Sequence, residues 1–281
     1  MKFTVPQELD GITVQNFLRK HCFVSARMLT KLKRVENGIT LDGKLIRSID
    51  ILHGGDTVKL ILPKESVHIE PVNLPLDNVY EDEWLIVYNK PPFMPVHPVR
   101  DHQLDTLANA AAFHAAKMGE NYTFHAINRL DKDTSGLVLA AKNAYSASFL
   151  PNHTEKRYIA LCEGKITGSG TIDAPLRLKE GHTIQREIGE GGVRAVTHYT
   201  AVKNYGEDYT LLEIRLETGR THQIRAHFSC IGHPLAGDDM YGGSRERFPR
   251  QCLHCAELCF THPGSGEKMT IRKEFDFFEN N

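Results

Sequence analysis

Five strand-like runs follow one another in the second half of the chain, and they constrain the fold more than any other sequence feature. They lie at 136–141, 156–163, 195–202, 209–216 and 268–272, after an earlier apolar run at 84–88. Two nearby segments have helical spacing instead, namely 106–119, closed by Gly119, and 221–232, closed by Gly232. The sequence predicts an α+β domain with a mixed, mostly antiparallel sheet and flanking helices.

The first sixty residues have a different pattern. Apolar residues recur at helical spacing in 25–35 with Ser25 placed as the N-cap, and 38–47 alternates around the Asp42-Gly43 turn of a hairpin. We expect a small α/β unit over residues 1–62 and a larger domain over 79–281. The proline-containing segment 63–78 is expected to connect them.

Composition excludes several classes of protein. Hydrophobic residues make up 41% and charged residues 25%, which is typical of soluble globular chains. No apolar run approaches the roughly 18 residues needed to cross a bilayer, and the N-terminus lacks the apolar middle of a signal peptide. Six cysteines are too few for a disulfide scaffold. We expect a cytoplasmic protein with free thiols and no membrane contact.

Charge is unevenly distributed along the chain. The net charge is −1, but residues 1–62 hold ten basic and six acidic residues, so this segment carries +4 and the rest −5. The helix predicted at 25–35 contributes Arg27, Lys31 and Arg34. A solvated helix face would explain this run of charges, and so would a surface that binds a polyanion.

Three segments are richer in polar groups or prolines than packing requires. INRLDKDTSGL at 127–137 is typical of a turn or helix cap around Asp131. In ETGRTHQIRAH at 217–227, Arg225 lies between two apolar residues on a predicted helix, where a partly buried guanidinium needs an anionic partner. NKPPFMPVHP at 89–98 has four prolines and indicates a stiff loop after a strand.

Together these segments resemble the RluA-type pseudouridine synthases. The motifs that carry the resemblance are INRLDKDTSGL, NKPPFMPVHP, TGRTHQIRAH, KRYIAL at 156–161, GHPLAGDDMYG at 232–242 and LHCAELCFTHP at 253–263. The resemblance covers roughly residues 79–272. Residues 1–62 resemble, more weakly, a small RNA-binding domain named after a small-subunit ribosomal protein. Two positions depart from the family pattern, because Asn128 replaces a histidine and Phe93 replaces a glycine.

The resemblance implies conversion of uridine in RNA to pseudouridine without a cofactor or metal. It implies that Asp131 is the essential carboxylate, attacking ribose or base, that Arg225 is its partner, and that Tyr158 stacks on a flipped-out base. The partner is structured RNA, ribosomal RNA being favoured over transfer RNA, and the protein is expected to be a monomer. The residues expected to contact RNA are Arg129, Arg220, His222, Gln223, Arg27, Lys31 and Arg34.

Other interpretations remain open from the sequence. One is a non-catalytic RNA-binding protein with a decayed synthase domain, although Asp131, Tyr158 and Arg225 are all present. Another is a hydrolase that uses Asp131 with a histidine, which lacks a well-placed second carboxylate. Cysteines at 252, 255 and 259 contain half of a zinc motif, but no second pair of ligands follows them.

Overall fold

The structure is a computed structural model that describes residues 1–62, 69–120 and 123–279. Residues 1–62 form a sheet in the order β1-β6-β3-β4, all antiparallel, and a separate pair β2-β5. The elements are β1 (Lys2–Thr4), β2 (Ile12–Thr13), α1 (Val14–Asn16), a π-helical stretch (Phe17–His21), α2 (Ala26–Leu32), β3 (Ile39–Leu41), β4 (Lys44–Leu45), β5 (Ile51–Leu52) and β6 (Thr57–Leu60).

The local sequence explains both the helix N-cap and the hairpin turn that were predicted in residues 1–62. The Ser25 side chain accepts a hydrogen bond from the Met28 backbone at 3.1 Å and so caps α2. Asp42 and Gly43 both have positive φ, at 49° and 82°, as a two-residue hairpin turn requires. Buried Met28, Leu29 and Leu32 then hold the apolar face of α2 in the core.

The rest of the described chain contributes a ten-stranded sheet, a two-stranded sheet and three helices. The elements are β7 (Asp77–Glu81), β8 (Leu85–Lys90), α3 (Leu107–Lys117), β9 (His125–Ala126), β10 (Ser135–Ala141), α4 (Ala144–Phe149), β11 (Thr154–Glu163), β12 (Ser169–Asp173), β13 (Leu176–Leu178), β14 (Arg186–Ile188), β15 (Val196–Tyr205), β16 (Tyr209–Leu216), α5 (Gln223–Cys230), β17 (Leu253–Thr261) and β18 (Lys268–Arg272).

The large sheet has the order β12-β15-β16-β11-β17-β10-β8-β7, with β18 also paired to β17 and β9 to β10. Its strand pairs are antiparallel except β10 and β17, which run parallel over Ser135–His254 and Gly136–Cys255. The α+β class with a mostly antiparallel sheet is therefore confirmed.

Strand β17 was not among the predicted strands, although it lies at the centre of the sheet. Its first six residues are all buried, because β10 and β11 flank it and both of its faces are covered. Strand β10 is equally buried but was predicted from its continuous apolar run, whereas His254 and Glu257 interrupt β17, which therefore shows neither an apolar run nor a regular alternation. Of the expected connecting segment 63–78, residues 63–68 lie outside the described residues. Strand β7 begins at Asp77, within the last two residues of that segment.

Helix α4 joins the two parts of the fold. The Tyr145 hydroxyl donates to the Cys22 carbonyl at 2.9 Å, and the Tyr145 ring lies 5.5 Å from that of Phe3. The Phe149 ring lies 5.5 Å from the ring of Phe23. Residues 1–62 therefore pack on the same helix that follows β10.

Gly136 permits the close parallel approach of β10 and β17. Its φ is +113°, and a Cβ at this position would lie 2.5 Å from the Cys255 backbone nitrogen and overlap the neighbouring peptide. Side chains other than glycine therefore meet two obstacles here, the backbone conformation and the contact with β17.

We expect Gly136→Ala to lower the free energy of unfolding by more than about 3 kcal/mol, because β17 must move away. Denaturant titration measures this. The control is Gly206→Ala, where φ is +65° but no atom lies within 4 Å of the new Cβ. That variant should lose only about 1–2 kcal/mol from the left-handed backbone. Equal losses would show that backbone conformation alone explains the glycine.

Candidate active site

Asp131 lies on a β-turn that connects β9 to β10. The Thr134 N–H donates to the Asp131 carbonyl at 3.1 Å, which closes the turn. Leu130 before the turn is buried, and Ser135 after it begins β10. The Asp131 side chain keeps 25% of its surface exposed, so its carboxylate faces an opening while its backbone is anchored in the sheet.

Two buried cations hold this turn from behind. Lys90, fully buried at the end of β8, donates from Nζ to the Lys132 carbonyl at 3.0 Å. Arg250, also buried, donates from Nη1 to the Asp133 carbonyl at 3.2 Å and from Nη2 to the Ser135 hydroxyl at 3.3 Å. Consecutive carbonyls that follow Asp131 are therefore bound by positive groups from two different parts of the chain.

The Lys90 ammonium uses all of its donors. Besides Lys132, it donates to the carbonyls of Pro91 and Met94, each at 2.8 Å. Three carbonyl acceptors require three N–H groups, so this geometry belongs to the protonated amine. Burial, assisted by the nearby Arg250 charge and opposed by Asp133 and Asp131, lowers the pKa of Lys90 to about 7.

Arg225 on α5 brings two carboxylates together. Its Nε and Nη2 donate to the two oxygens of Asp238 at 2.7 and 2.8 Å, and its Nη1 donates to Asp131 Oδ2 at 3.1 Å. The guanidinium also lies 4.9 Å from the centre of the Tyr241 ring. Burial alone would lower the pKa of Arg225, but hydrogen bonds and charge from Asp238 and Asp131 raise it. Arg225 is thus a fixed positive charge beside Asp131.

Tyr158 reaches the same opening from β11. The pairing with β17 shifts register between Arg157 and Tyr158, and Ala256 is the extra residue of this bulge. Bulges turn side chains away from the regular strand direction and occur often beside active sites. Burial raises the pKa of Tyr158 well above its usual value, and the Cys255 and Asp131 charges add to the shift. The ring therefore carries a neutral phenol.

His222 precedes α5 with a left-handed backbone, φ 55°. Its Nδ1 lies 3.0 Å from the Tyr241 hydroxyl, and its Nε2 lies 3.8 Å from Asp131 Oδ2. The Tyr241 oxygen accepts from the Arg186 N–H at 2.8 Å, which leaves its proton free to donate to Nδ1 and favours the tautomer with the proton on Nε2. Burial lowers the pKa of His222, so the ring is neutral at neutral pH.

The Gln223 side chain makes all of its hydrogen bonds with other groups of the protein. Its Oε1 accepts from the Thr218 hydroxyl and the Arg220 N–H, and its Nε2 donates to the Val196 carbonyl and the Thr197 hydroxyl. These four bonds fill the capacity of an amide. This geometry gives the Gln223 side chain a structural part in the turn before α5, and its expected contact with RNA stays a prediction.

The expected site residues fall into two groups. Seven of them line one pocket, which also contains Leu130, Thr134, Leu216, Ile224 and Leu253; the seven are Arg129, Asp131, Tyr158, Arg220, His222, Gln223 and Arg225. Arg27 and Lys31 lie elsewhere, in a groove between α2 and α4 that His125 also lines. Arg34 is exposed just beyond the end of α2 and lines neither of these two surfaces.

A family model described as RNA pseudouridylate synthase matches residues 84–230, which include the Asp131 turn, Tyr158 and Arg225. The chain belongs to the RNA pseudouridylate synthase family. It is therefore an RNA pseudouridine synthase, and the family supports isomerisation of uridine in RNA as its reaction.

Three similar proteins show how far the likeness extends. The uncharacterized RNA pseudouridine synthase YjbO of Bacillus subtilis is 38% identical over 256 residues, which are 88% of this chain and 89% of that protein. Ribosomal large subunit pseudouridine synthase D of Pseudomonas aeruginosa is 36% identical over 94% of this chain and 87% of its own length. The solved structure of human RNA pseudouridylate synthase domain containing 1 has a TM-score of 0.59 and 26% identity, covering 75% of this chain and 86% of its own.

Asp238, Lys90 and Arg250 also belong to this synthase site, although none of them was a predicted site residue. Asp238 is buried, and a buried carboxylate needs a cation, but in the sequence it stands beside Asp239, which is exposed, and nothing local distinguishes the two. Lys90 and Arg250 act on main-chain carbonyls, which every residue has. Side-chain identity therefore gives no indication of their partners.

Two other features of the synthase concern metals and membranes. Among the described residues, no group of three or more His, Cys, Asp or Glu side chains could hold a metal ion. The longest helix in the same part of the chain has 11 residues, and none has the length and apolar character that crossing a membrane requires.

We expect Asp238→Asn to slow single-turnover pseudouridine formation by about a hundredfold, because the amide nitrogen faces the Arg225 donors and the guanidinium loses its fixed orientation toward Asp131. Affinity for RNA should change little. The matched control is Asp239→Asn, whose exposed carboxylate pairs with Arg245 at 2.8 Å. It should change unfolding free energy by less than about 0.5 kcal/mol and the rate hardly at all. Similar rates for both variants would contradict the orienting role of Asp238.

Proposed function

We propose that this synthase converts specific uridines of large-subunit ribosomal RNA to pseudouridine, with Asp131 as the essential carboxylate. The observation that carries the proposal is a carboxylate on a turn held by two buried cations, open to solvent on one side and bound there by Arg225. Relatives named ribosomal large subunit pseudouridine synthase D support ribosomal RNA over transfer RNA.

The reaction needs one bond exchanged for another on the same nucleotide. The bond from ribose carbon 1′ to ring nitrogen 1 breaks, the uracil turns, and carbon 1′ bonds to carbon 5. Carbon 5 then loses its proton to solvent, and nitrogen 1 gains one, so that the product is an isomer of the substrate. An ionised Asp131 can attack the sugar or the base, or stabilise positive charge on the sugar. The Arg225 guanidinium donates to Asp131 Oδ2 at 3.1 Å and so fixes the position of the carboxylate.

Tyr158 and His222 would surround the uracil in this proposal. A neutral phenol ring offers a flat apolar surface for stacking rather than a base for the carbon 5 proton. His222 is neutral and directs Nε2 toward Asp131, so it can donate a hydrogen bond to the carboxylate or to a uracil oxygen. Both groups hold the base in an orientation that Asp131 can reach.

A target uridine must leave its stack to enter this pocket, which costs a few kcal/mol. Exposed Arg129 and Arg220 at the opening can contact phosphates beside the extruded nucleotide. Arg27 and Arg34, exposed on and beyond α2, with Lys31 in the groove between α2 and α4, add phosphate contacts at a distance from the pocket. A monomeric state and cytoplasmic location stay predictions from the sequence.

The central test is Asp131→Asn, which keeps the shape of the side chain but removes its charge. Release of tritium from RNA labelled at uridine carbon 5 should fall by at least about a thousandfold, since no carboxylate remains to act on the nucleotide. RNA affinity and thermal midpoint should stay near those of the native protein. Substantial turnover by the folded variant would refute the role of Asp131.

The target RNA is identified by mapping pseudouridine in RNA from cells with and without the protein. Loss of modification confined to large-subunit ribosomal RNA supports the proposal, whereas loss confined to transfer RNA contradicts its choice of substrate. If the native protein binds RNA but forms no pseudouridine in any fraction, it is the non-catalytic RNA-binding protein of the alternative interpretation.

The basic residues around α2 generate a separate prediction. Replacing Arg27, Lys31 and Arg34 by glutamine should lower affinity for the substrate RNA and reduce the slope of log affinity against log salt by about 2–3, because each phosphate contact releases counterions. The rate at saturating enzyme should be preserved. Fluorescence anisotropy at several salt concentrations measures the slope.

The matched control replaces exposed Lys165, Lys203 and Lys268, which lie in the large domain, by glutamine and changes net charge equally. Its slope should stay within about 0.5 of the native value. If both triple variants lower the slope to the same extent, net charge explains the effect and the α2 surface has no particular part in binding.

A further inference from the structure

Phe93 is an exposed aromatic residue on a strained backbone. It lies at the tip of the turn from Pro91 to Met94, directly after β8, with φ +64° and 57% of its surface exposed. Pro92 followed by a residue of positive φ is the pattern of a type II turn, whose third position favours glycine. A phenylalanine at this position is a conformational outlier.

Within the described residues, no ring contact of Phe93 offsets the cost of its backbone conformation. Phe23 is a useful comparison, since it also has positive φ and an exposed ring, but its ring packs edge-on against Phe149 and His153 at 5.5 and 5.0 Å. Among the ring contacts of the described residues, none involves Phe93. Strain of this kind persists where the surroundings enforce it, and it gathers at functional sites.

The turn that carries Phe93 is fixed beside the Asp131 turn. The Lys90 ammonium donates to both of its ends, the carbonyls of Pro91 and Met94, and to the Lys132 carbonyl. One buried group therefore binds both turns at once. Farther along the same loop, the charge of Arg129 at the pocket opening acts on His97. The loop thus runs alongside the segment that carries Asp131.

We propose that the Phe93 ring is a stacking platform for an unpaired base of the substrate RNA, next to the extruded uridine. Proteins recognise RNA loops and bulges by stacking splayed bases on aromatic side chains. Extrusion of one nucleotide removes a stacking partner from its neighbours, and a rigidly held ring can replace it. The inference rests on the proposed function, because the base it binds belongs to the RNA acted on at Asp131.

The test compares Phe93→Gly, Phe93→Leu and Phe93→Tyr with the native protein, using unmodified large-subunit ribosomal RNA transcribed in vitro. Phe93→Gly should weaken binding by about tenfold. Its thermal midpoint should stay the same or rise, since glycine adopts this backbone freely. Phe93→Leu keeps apolar bulk without an aromatic face and should weaken binding similarly, whereas Phe93→Tyr should bind within about twofold of the native protein.

Salt dependence separates stacking from a general loss of the RNA-binding surface. Stacking releases no counterions, so the slope of log affinity against log salt should be the same in all four proteins. Met118→Ala, which removes an exposed apolar side chain at the end of α3, is the control and should bind as the native protein does.

Native affinity in Phe93→Gly, or in Phe93→Leu, would overturn the inference; the ring would then serve another partner, such as a protein. A fall in thermal midpoint together with a flatter salt slope would also overturn it, because the loss would come from a disturbed fold. Failure of the proposed function is a separate result. The native protein would then release no tritium from the same RNA labelled at uridine carbon 5, and this outcome does not depend on how the Phe93 variants bind.

Discussion

The bidentate ion pair between Arg225 and Asp238 is the interaction on which the rest of the site depends. Two parallel hydrogen bonds fix the plane of the guanidinium, which leaves Nη1 directed at Asp131. A buried ion pair adds little net stability because both charges lose their water, but removing one partner costs about 3–5 kcal/mol. The main effect of the pair is therefore to fix the orientation of the Arg225 guanidinium. Through this guanidinium, α5 and the segment after it are connected to the Asp131 turn before β10.

Positive charge surrounds Asp131 on two sides, with different effects. Arg225 acts on the carboxylate itself, whereas Lys90 and Arg250 bind the main-chain carbonyls of the next two residues. Because those carbonyls are held from within the protein, the turn cannot rotate to bring its backbone oxygens into the pocket. One side of the turn is thus rigid, and the other side presents a single carboxylate to solvent.

Unusual backbone conformations gather around the same turn. Gly136 follows the Asp131 turn and has a φ of +113°, and His222 faces that turn with a φ of 55°. Phe93 has a φ of +64° and lies on the neighbouring turn, which is bound by the same Lys90 ammonium as the Asp131 turn. The bulge in β11 at Tyr158 is a fourth irregularity, and Tyr158 lines the same pocket as Asp131. Regular strands and helices direct side chains along fixed axes, so residues that converge on one nucleotide from several elements need such departures.

The sequence by itself determined the local features. Periodicity identified α3, α5 and most strands of the large sheet, turn chemistry identified the hairpin at Asp42-Gly43, and the resemblance brought Asp131, Tyr158 and Arg225 together as candidates. Each of these signals lies within a few consecutive residues. Only the tertiary structure revealed β17 as the central strand, because burial on both faces removes the alternation that marks a strand and because buried His254 and Glu257 interrupt its apolar run. It alone also revealed that the fork of Arg225 binds Asp238, that Gln223 is saturated by protein groups, and that buried Lys90 and Arg250 bind carbonyls. Hydrogen bonds to the main chain and pairings between distant segments depend on how the strands are ordered, and no local pattern of side chains records that order.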